Sequence, residues 1–197
     1  MKSKLREIAK KKRSELIFDL NFYLKIEKNL KICLNDIFKL HPNFETASLY
    51  HPVHNEVSPN IFIKYFETKN ITLSLPVVDT LSNSIIFKEW FYKEELTKGP
   101  LGNMEPLKSK KNIFPQIMVV PLLMFDKSLL RLGYGGGFYD KSINKHKKYF
   151  KKKEKPFITI GLAHSSQEID FLPHESHDMR LDFIVTEKEL LSKSKNI

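Results

Sequence analysis

The sequence predicts one α/β domain in which a mostly parallel sheet is covered by helices on both faces. Segments with apolar residues at three- and four-residue spacing, typical of amphipathic helices, alternate along the chain with short β-branched runs, typical of buried strands. No internal repeat and no linker divides the 197 residues. We therefore expect a single three-layer domain over 1–197.

The helical segments have recognisable start signals. Ser58-Pro59 is typical of a helix start, and the glycine cluster at 133–137 is predicted to turn the chain into a helix that follows it directly. The first segment is basic, and its apolar positions are few. Helices are predicted at 2–18, 20–40, 61–66, 138–149 and 187–191.

The strands are short, and their alternation with helices is Rossmann-like. The segment 116–122 is rich in β-branched residues and is expected to be a central strand, whereas the Gly and Pro residues of 95–114 predict a loop. The tail from Ser192 is predicted to be frayed. Strands are predicted at 46–50, 71–78, 85–91, 116–122, 157–162 and 181–185.

The composition excludes several classes of protein. Hydrophobic residues make up 41% of the chain, which is enough for a packed core. The longest apolar run, 117–125, contains Pro121 and is too short to span a bilayer. No apolar segment follows the basic start, so we expect no secretory signal. A single cysteine, Cys33, excludes a disulfide framework; we expect it to be buried, in a cytoplasmic protein.

The net charge of +10 does not by itself indicate a nucleic-acid partner. Only four of the 33 basic residues are arginine, the residue on which nucleic-acid readers depend for bidentate contacts. The segment 145–155 alone holds seven lysines and one glutamate. We expect a monomer with no nucleic-acid and no membrane partner, although a basic nucleic-acid-binding protein remains an alternative.

The strongest candidate for chemistry is the segment Arg131–Asp140, which holds four of the seven glycines. Successive glycine N–H groups before a helix N-terminus form an anion cradle. Arg131 is suited to bind phosphate, and Asp140 to hold a divalent cation against it. The segment matches neither a Walker A loop nor a dinucleotide fingerprint, and a flexible turn is the simpler alternative.

Arg131–Asp140 also resembles the R-L-G-x-G-x-G-[YF]-Y-D nucleotide loop of the 5-formyltetrahydrofolate cyclo-ligase family. Further segments match that family in order and spacing over residues 2–187. They are Lys2–Arg6, Tyr50–Ser58, Gly102–Pro106, Pro121–Asp126, Gly161–Ala163, Gln167, Pro173, His177-Asp178 and Thr186-Glu187.

The resemblance implies an ATP-dependent ligase that closes 5-formyltetrahydrofolate to 5,10-methenyltetrahydrofolate, releasing ADP and phosphate through a phosphorylated formyl intermediate. It implies charge neutralisation by Lys2, Arg6 and Arg131, substrate contacts from His51, Glu56, Glu105 and Phe138, and Mg²⁺ at Asp140 and Asp178. The implied ATP contacts are Lys2, Ser3, Lys4, Leu5, Arg6, Arg131, Leu132, Gly133, Tyr134, Gly135, Gly136, Gly137, Phe138 and Tyr139.

The chain departs from the family pattern at three places, and the alternatives remain open. Phe138 replaces a common tyrosine, Asn103-Met104 replaces Ile-Pro, and Ser58 stands where Asp or Glu is commoner. Without the resemblance, Lys2 and Arg6 would be a solvated helix face, and Asp178 a turn cap. A phosphate sensor or sugar-phosphate enzyme would use the same glycine loop. Residues expected to be structural or exposed rather than ligands are His54, Trp90, Phe91, His174 and His177.

The lysine run at 145–155 has two interpretations. It is either a solvated loop or an attractor for the glutamate chain that cellular folates commonly carry. In the second case, a polyglutamylated substrate would be held near the mouth of the site.

Overall fold

The computed structural model describes residues 1–80, 82 and 84–193, in which one eight-stranded sheet forms the centre. Its spatial order is β12-β11-β10-β7-β1-β2-β3-β6, and the five strands from β11 to β2 are mutually parallel. The strands are β1 (Thr46–Ser48), β2 (Thr72–Asp79), β3 (Ser84–Glu89), β4 (Thr97–Lys98), β5 (Met104–Glu105), β6 (Asn112–Ile113), β7 (Ile117–Val120), β8 (Met124–Phe125), β9 (Arg131–Leu132), β10 (Ile158–Leu162), β11 (Phe183–Val185) and β12 (Leu190–Ser192).

Helices cover both faces of this sheet, which confirms the predicted α/β fold class. Along β7, Ile117 and Val119 pack into the cluster that contains α2, whereas Met118 and Val120 pack into the cluster that contains Ile143 of α4. A strand buried on both sides is typical of a parallel sheet between two helical layers. The helices are α1 (Lys2–Ser14), α2 (Leu20–Leu40), α3 (Ile63–Thr68) and α4 (Phe138–Lys152), with 3₁₀ turns at Pro59–Phe62 and Ser165–Gln167.

The first helix is shorter than predicted. It ends at Ser14, because the Asn55 side-chain amide donates to the carbonyl oxygens of Arg13 at 2.8 Å and Leu16 at 2.9 Å. Asp19 then starts α2, since its carboxylate accepts the N–H of Phe22 at 2.7 Å. No helix in the described part of the chain is both long and apolar enough to cross a bilayer.

The predicted helix at 187–191 is wrong. Thr186 forms a tight turn in which its hydroxyl accepts the N–H groups of Lys188 and Glu189, and the chain returns antiparallel as β12. Leu190 and Leu191 pack on opposite faces of the sheet, as successive strand residues do. Ser192, predicted to be frayed, pairs with Phe183; the rest of that predicted tail, 194–197, lies outside the described residues.

The predicted loop at 95–114 contains three two-residue strands. Two of them, β4 and β5, form a small hairpin, and β6 pairs with β3 at the sheet edge. Such short pairings give no periodicity in the sequence.

A second hairpin, β8–β9, carries the chain from the central strand to the glycine segment. Buried Asp126 closes it: Oδ1 accepts the N–H and hydroxyl of Ser128 at 2.9 and 2.6 Å, and Oδ2 accepts the N–H of Leu172 at 3.0 Å. The hairpin therefore fixes where Arg131 and the glycines begin relative to the carboxyl end of β7.

His146 is a buried titratable group on α4, surrounded by the rings of Phe87, Phe114 and Phe157 at 5.4, 5.2 and 5.6 Å. Its Nδ1 lies 2.8 Å from the carbonyl oxygen of Ser142, so the neutral ring carries its proton there. Nε2 is buried with no hydrogen-bond partner in the described residues. Burial lowers the pKa of His146 to about 4, although the Ser142 contact opposes this.

Acidification should destabilise the fold through His146. Between about pH 6.5 and the folded pKa of about 4, the unfolded chain binds a proton that the folded chain does not, so the free energy of unfolding falls as pH drops. Between about pH 7 and pH 4.5, the free energy of unfolding of His146→Leu should fall by about 2 kcal/mol less than that of wild type, measured by urea denaturation. His41→Gln, at the end of α2, is the control. Parallel pH curves for wild type and His146→Leu would contradict the prediction.

Candidate active site

A cavity of about 1020 Å³ opens beside the carboxyl ends of the parallel strands, where α/β sheets commonly bind ligands. Its wall includes α1, the chain that follows β1, the loop 101–103, the glycine loop with the start of α4, and the loop 172–178. The volume exceeds that of most small-molecule pockets, about 300–1,000 Å³. It therefore offers room for two ligands side by side.

The glycine loop forms one wall, as the sequence predicts. Gly135 and Gly137 have φ of 109° and 67°, a region that favours glycine. Gly137 is the residue before α4, so the free N–H groups of that helix face the cavity. A Cβ at Gly135 would lie 3.2 Å from the guanidinium carbon of Arg6. This wall is suited to bind phosphate.

Arg131 and Asp140 flank the glycine loop and contact each other. Arg131 Nη2 donates to Asp140 Oδ1 at 3.1 Å, and Nη1 donates to the carbonyl oxygen of Met179 at 2.8 Å. The same Asp140 oxygen accepts the Met179 N–H at 2.9 Å. Burial lowers the pKa of Arg131, and Asp140 acts in the opposite direction. Both residues line the cavity, but the Arg131 side chain is only 4% exposed.

Helix α1 contributes a cationic wall. Lys2 Nζ lies 2.6 Å from Asp178 Oδ2 and 3.1 Å from Glu175 Oε1. Burial would lower the pKa of Lys2, but these hydrogen bonds outweigh it and raise the value. Arg6 Nε donates to the carbonyl oxygen of Gly133 at 2.9 Å. Three residues predicted to contact ATP on this helix do not line the cavity: Ser3, Lys4 and Leu5.

Glu56 also lines the cavity, with 4% of its side chain exposed. Its Oε1 accepts the hydroxyl of Tyr134 at 2.9 Å and lies 3.4 Å from Arg13 Nη1, and its Oε2 accepts the N–H of Val53 at 3.0 Å. Burial raises the pKa of Glu56, and these three contacts act in the opposite direction. The carboxylate is therefore fixed in position at the cavity surface.

Arg13 does not line the cavity but holds Glu56, a role that the sequence did not predict. Its side chain is 1% exposed; Nε donates to the carbonyl oxygen of His54 at 3.0 Å, and Nη2 donates to the Tyr134 hydroxyl. The helical spacing of the cationic residues was a signal for this role. At 100° per residue, Lys2, Arg6 and Arg13 fall within about 40° on one face of α1.

Two polar atoms at the cavity have no hydrogen-bond partner among the described residues. They are His51 Nδ1 and Asn103 Oδ1, both buried. Glu105, by contrast, does not line the cavity. Its carboxylate accepts the N–H of Val78 at 2.9 Å and the Asn103 amide at 3.0 Å, so it holds the loop that carries Asn103. Phe138 lines the cavity beside the glycines.

The two aspartates predicted to hold a metal both line the cavity. Asp178 also caps a turn, since its Oδ2 accepts the N–H of Glu175 at 2.7 Å; this is the structural role that the sequence left open. No cluster of three or more His, Cys, Asp or Glu side chains within 1–80, 82 and 84–193 is arranged as a metal site. The cavity wall also includes His54, His174 and His177, which the sequence did not assign to the site.

Comparisons with known proteins show which proteins this chain is similar to. The sequence model of the 5-formyltetrahydrofolate cyclo-ligase family matches residues 2–187. The chain is 30% identical over 142 residues to the 5-formyltetrahydrofolate cyclo-ligase of Haemophilus influenzae, covering 70% of this chain and 73% of that protein. It is 26% identical over 186 residues to the 5-formyltetrahydrofolate cyclo-ligase of Mycoplasma genitalium, covering 93% of this chain and 96% of that protein.

A solved structure is similar to this chain as well. The 5,10-methenyltetrahydrofolate synthetase of Aquifex aeolicus superposes with a TM-score of 0.75 at 28% identity, covering 100% of this chain and 94% of that chain. The resemblance predicted from the sequence motifs is confirmed.

Removing the Arg13 side chain should destabilise the fold strongly, because it leaves the Glu56 carboxylate buried beside a cavity without its cation. For Arg13→Ala we expect the free energy of unfolding to fall by about 3–5 kcal/mol in urea denaturation at neutral pH. Adding Glu56→Gln should recover part of this loss, since the uncompensated charge is removed. An additive double variant would show that Arg13 and Glu56 do not interact energetically.

Proposed function

The chain belongs to the 5-formyltetrahydrofolate cyclo-ligase family, and we propose that it cyclises 5-formyltetrahydrofolate to 5,10-methenyltetrahydrofolate with ATP in the cavity described above. One observation carries the proposal. A single cavity of about 1020 Å³ is lined both by the phosphate-binding glycine loop and by the buried carboxylate of Glu56. The same cavity can therefore bind the negatively charged phosphates of ATP and the N–H donors of a pterin.

The nucleotide half consists of α1 and the glycine loop. The N–H groups at the start of α4 and the cations Lys2 and Arg6 are suited to bind the ATP phosphates. The Lys2–Asp178 ion pair, at 2.6 Å, brings an ammonium for phosphate and a carboxylate for a cation to the same place. Arg131 holds Asp140 at the entrance of the loop.

The pterin half consists of the chain after β1 and the loop that carries Asn103. Glu56 offers a fixed acceptor to the N–H-rich edge of a pterin. His51 and Asn103 line the cavity, and His51 Nδ1 and Asn103 Oδ1 are buried with no hydrogen-bond partner within the described ranges, so both side chains would gain a hydrogen bond by turning these atoms toward a ligand. The Phe138 ring supplies a surface on which a pterin can stack.

The reaction that fits this arrangement needs positioning and charge neutralisation rather than a protein nucleophile. The formyl oxygen attacks the γ-phosphorus of ATP and ADP leaves. The nitrogen at position 10 then attacks the formyl carbon and loses its proton, the bond from that carbon to the phosphate oxygen breaks, phosphate leaves and the ring closes. Phosphorylation converts a poor leaving group into a good one. Lys2, Arg6 and Arg131 offset the negative charge, and the cavity walls limit access of water.

We also propose that Mg²⁺ accompanies ATP, held by Asp140 and Asp178. Carboxylate oxygens suit this ion, which commonly takes one or two carboxylates together with phosphates and water. Each aspartate makes its short hydrogen bonds through one oxygen, Oδ1 in Asp140 and Oδ2 in Asp178. When bound, the ion would neutralise phosphate charge.

A polyglutamate tail on the substrate remains part of the proposal. The run 145–155 extends from the middle of α4 past its end, and none of its residues lines the cavity. The last turn of α4 lies about 20 Å along the helix from the cavity, so a tail of several glutamates would be needed to reach it. We propose a cytoplasmic monomer, since one chain supplies both halves and its one cysteine is free and buried.

The decisive experiment follows methenyl absorbance with purified protein, ATP, Mg²⁺ and 5-formyltetrahydrofolate. Formation of the chromophore that requires both substrates, with ADP released in equal amount, is expected. Comparing monoglutamate and polyglutamate substrates at low and high salt tests the tail, because salt screens exposed charges over about 10 Å. ATP hydrolysis without methenyl formation would reject the proposed function.

Glu56→Gln should weaken the folate substrate selectively. Loss of a charge-assisted contact predicts a rise of about tenfold or more in the Michaelis constant for 5-formyltetrahydrofolate, with the dissociation constant of ATP in the absence of folate changed less than about twofold. The control is Glu27→Gln, which removes an exposed i,i+4 ion pair on α2. Equal weakening of both substrates would place Glu56 outside the pterin half.

Asp140→Asn and Asp178→Asn should each raise the Mg²⁺ concentration needed for half-maximal rate, because the amide keeps the size but removes the charge. Mg²⁺ titration of the rate, and calorimetric binding of Mn²⁺ with ADP, measure the effect. Asp36→Asn, on the exposed face of α2, is the control. If both variants titrate like wild type, these aspartates do not hold the ion.

A further inference from the structure

Tyr134 joins the two halves of the cavity through one hydroxyl. It belongs to the glycine loop, yet its hydroxyl donates to Glu56 Oε1 at 2.9 Å and accepts from Arg13 Nη2. Burial, followed by the nearby Glu56 charge, raises the pKa of Tyr134, which keeps the hydroxyl protonated as a donor. A residue of the phosphate-binding loop thus directly contacts the carboxylate assigned to the pterin.

The hydrogen bonds of Glu56 determine which of its atoms remains for a ligand. Each carboxylate oxygen can accept about two hydrogen bonds. Oε1 accepts from Tyr134 and Arg13, whereas Oε2 accepts only from Val53 in the described structure. The remaining acceptor position is on Oε2, and its direction depends on how firmly Oε1 is held.

The loop that carries Tyr134 depends on few fixed contacts. Gly135 and Gly137 give its backbone wide conformational freedom. Arg6 binds the carbonyl oxygen of Gly133 at 2.9 Å, and the Tyr134 ring lies 5.2 Å from the Arg13 guanidinium carbon. Phosphates bound by the loop N–H groups would restrict this backbone, and with it the Tyr134 hydroxyl.

We propose that Tyr134 is a positioning residue that couples the two ligands: nucleotide bound to the glycine loop holds Tyr134 against Glu56 and thereby tightens binding of the folate. The inference rests on the proposed function. Because coupling between two bound ligands is reciprocal, the folate tightens nucleotide binding by the same factor. The hydroxyl of Tyr134 transmits the effect, and its ring does not.

The test measures a coupling factor. This factor is the dissociation constant of 5-formyltetrahydrofolate without nucleotide divided by its dissociation constant with a saturating imido analogue of ATP. The analogue is used because it prevents turnover. Titration calorimetry is expected to give about fivefold or more for wild type and less than about twofold for Tyr134→Phe. Phenylalanine keeps the ring contacts, so the loop should fold. Each factor is a ratio within one protein, so a smaller folded fraction cancels.

The matched control is Tyr65→Phe, which removes a tyrosine hydroxyl that donates to Asn35 at 2.9 Å outside the cavity lining. The coupling factor of this variant should equal that of wild type. Equal factors in wild type and Tyr134→Phe, or a wild-type factor near one, would overturn the coupling while leaving the proposed function intact. Absence of folate binding and of methenyl formation in wild type would reject the function, and the coupling with it.

Discussion

The buried contact between the Arg13 guanidinium and the Glu56 carboxylate is the constraint around which the cavity is arranged. Both side chains lie almost entirely out of water, where an unpaired charge is strongly destabilising. Their other side-chain hydrogen bonds join them to His54, Leu122, Val53 and Tyr134. The end of α1, the chain after β1 and the glycine loop must therefore meet at one place, and the two ligand-binding halves become neighbours.

The sheet supplies the rigid reference for this meeting point. Central strand β7 is buried on both faces, and the β8–β9 hairpin closed by Asp126 leads from it to the glycine loop. The phosphate-binding N–H groups are thus set by backbone contacts to the core. The part of the wall that contains Glu56 and Asn103 is set mainly by side chains, since both are held by side-chain hydrogen bonds.

Local sequence was sufficient for the fold class and for the glycine loop, because periodicity and glycine clustering are properties of neighbouring residues. It was insufficient for Arg13, whose partners Glu56 and Tyr134 lie 43 and 121 positions away. Burial of a charge depends on such distant partners. The segment 187–191 is too short for periodicity to distinguish a helix from a strand. The role of Glu105 within its own loop depends on a contact with Val78, which lies 27 positions away, so the local sequence could not predict it.

The way in which α1 is attached has a consequence for motion. Only Ala9 and Arg13 of its thirteen residues are buried, so polar contacts from Lys2, Arg6 and Arg13 provide much of its attachment. A segment that buries little apolar surface separates at lower free energy than a core strand. Detachment of α1 would remove the cations of the phosphate wall and the partner of Glu56 together. Amide hydrogen exchange in this helix should therefore be faster than in β7, and should slow when the cavity is filled.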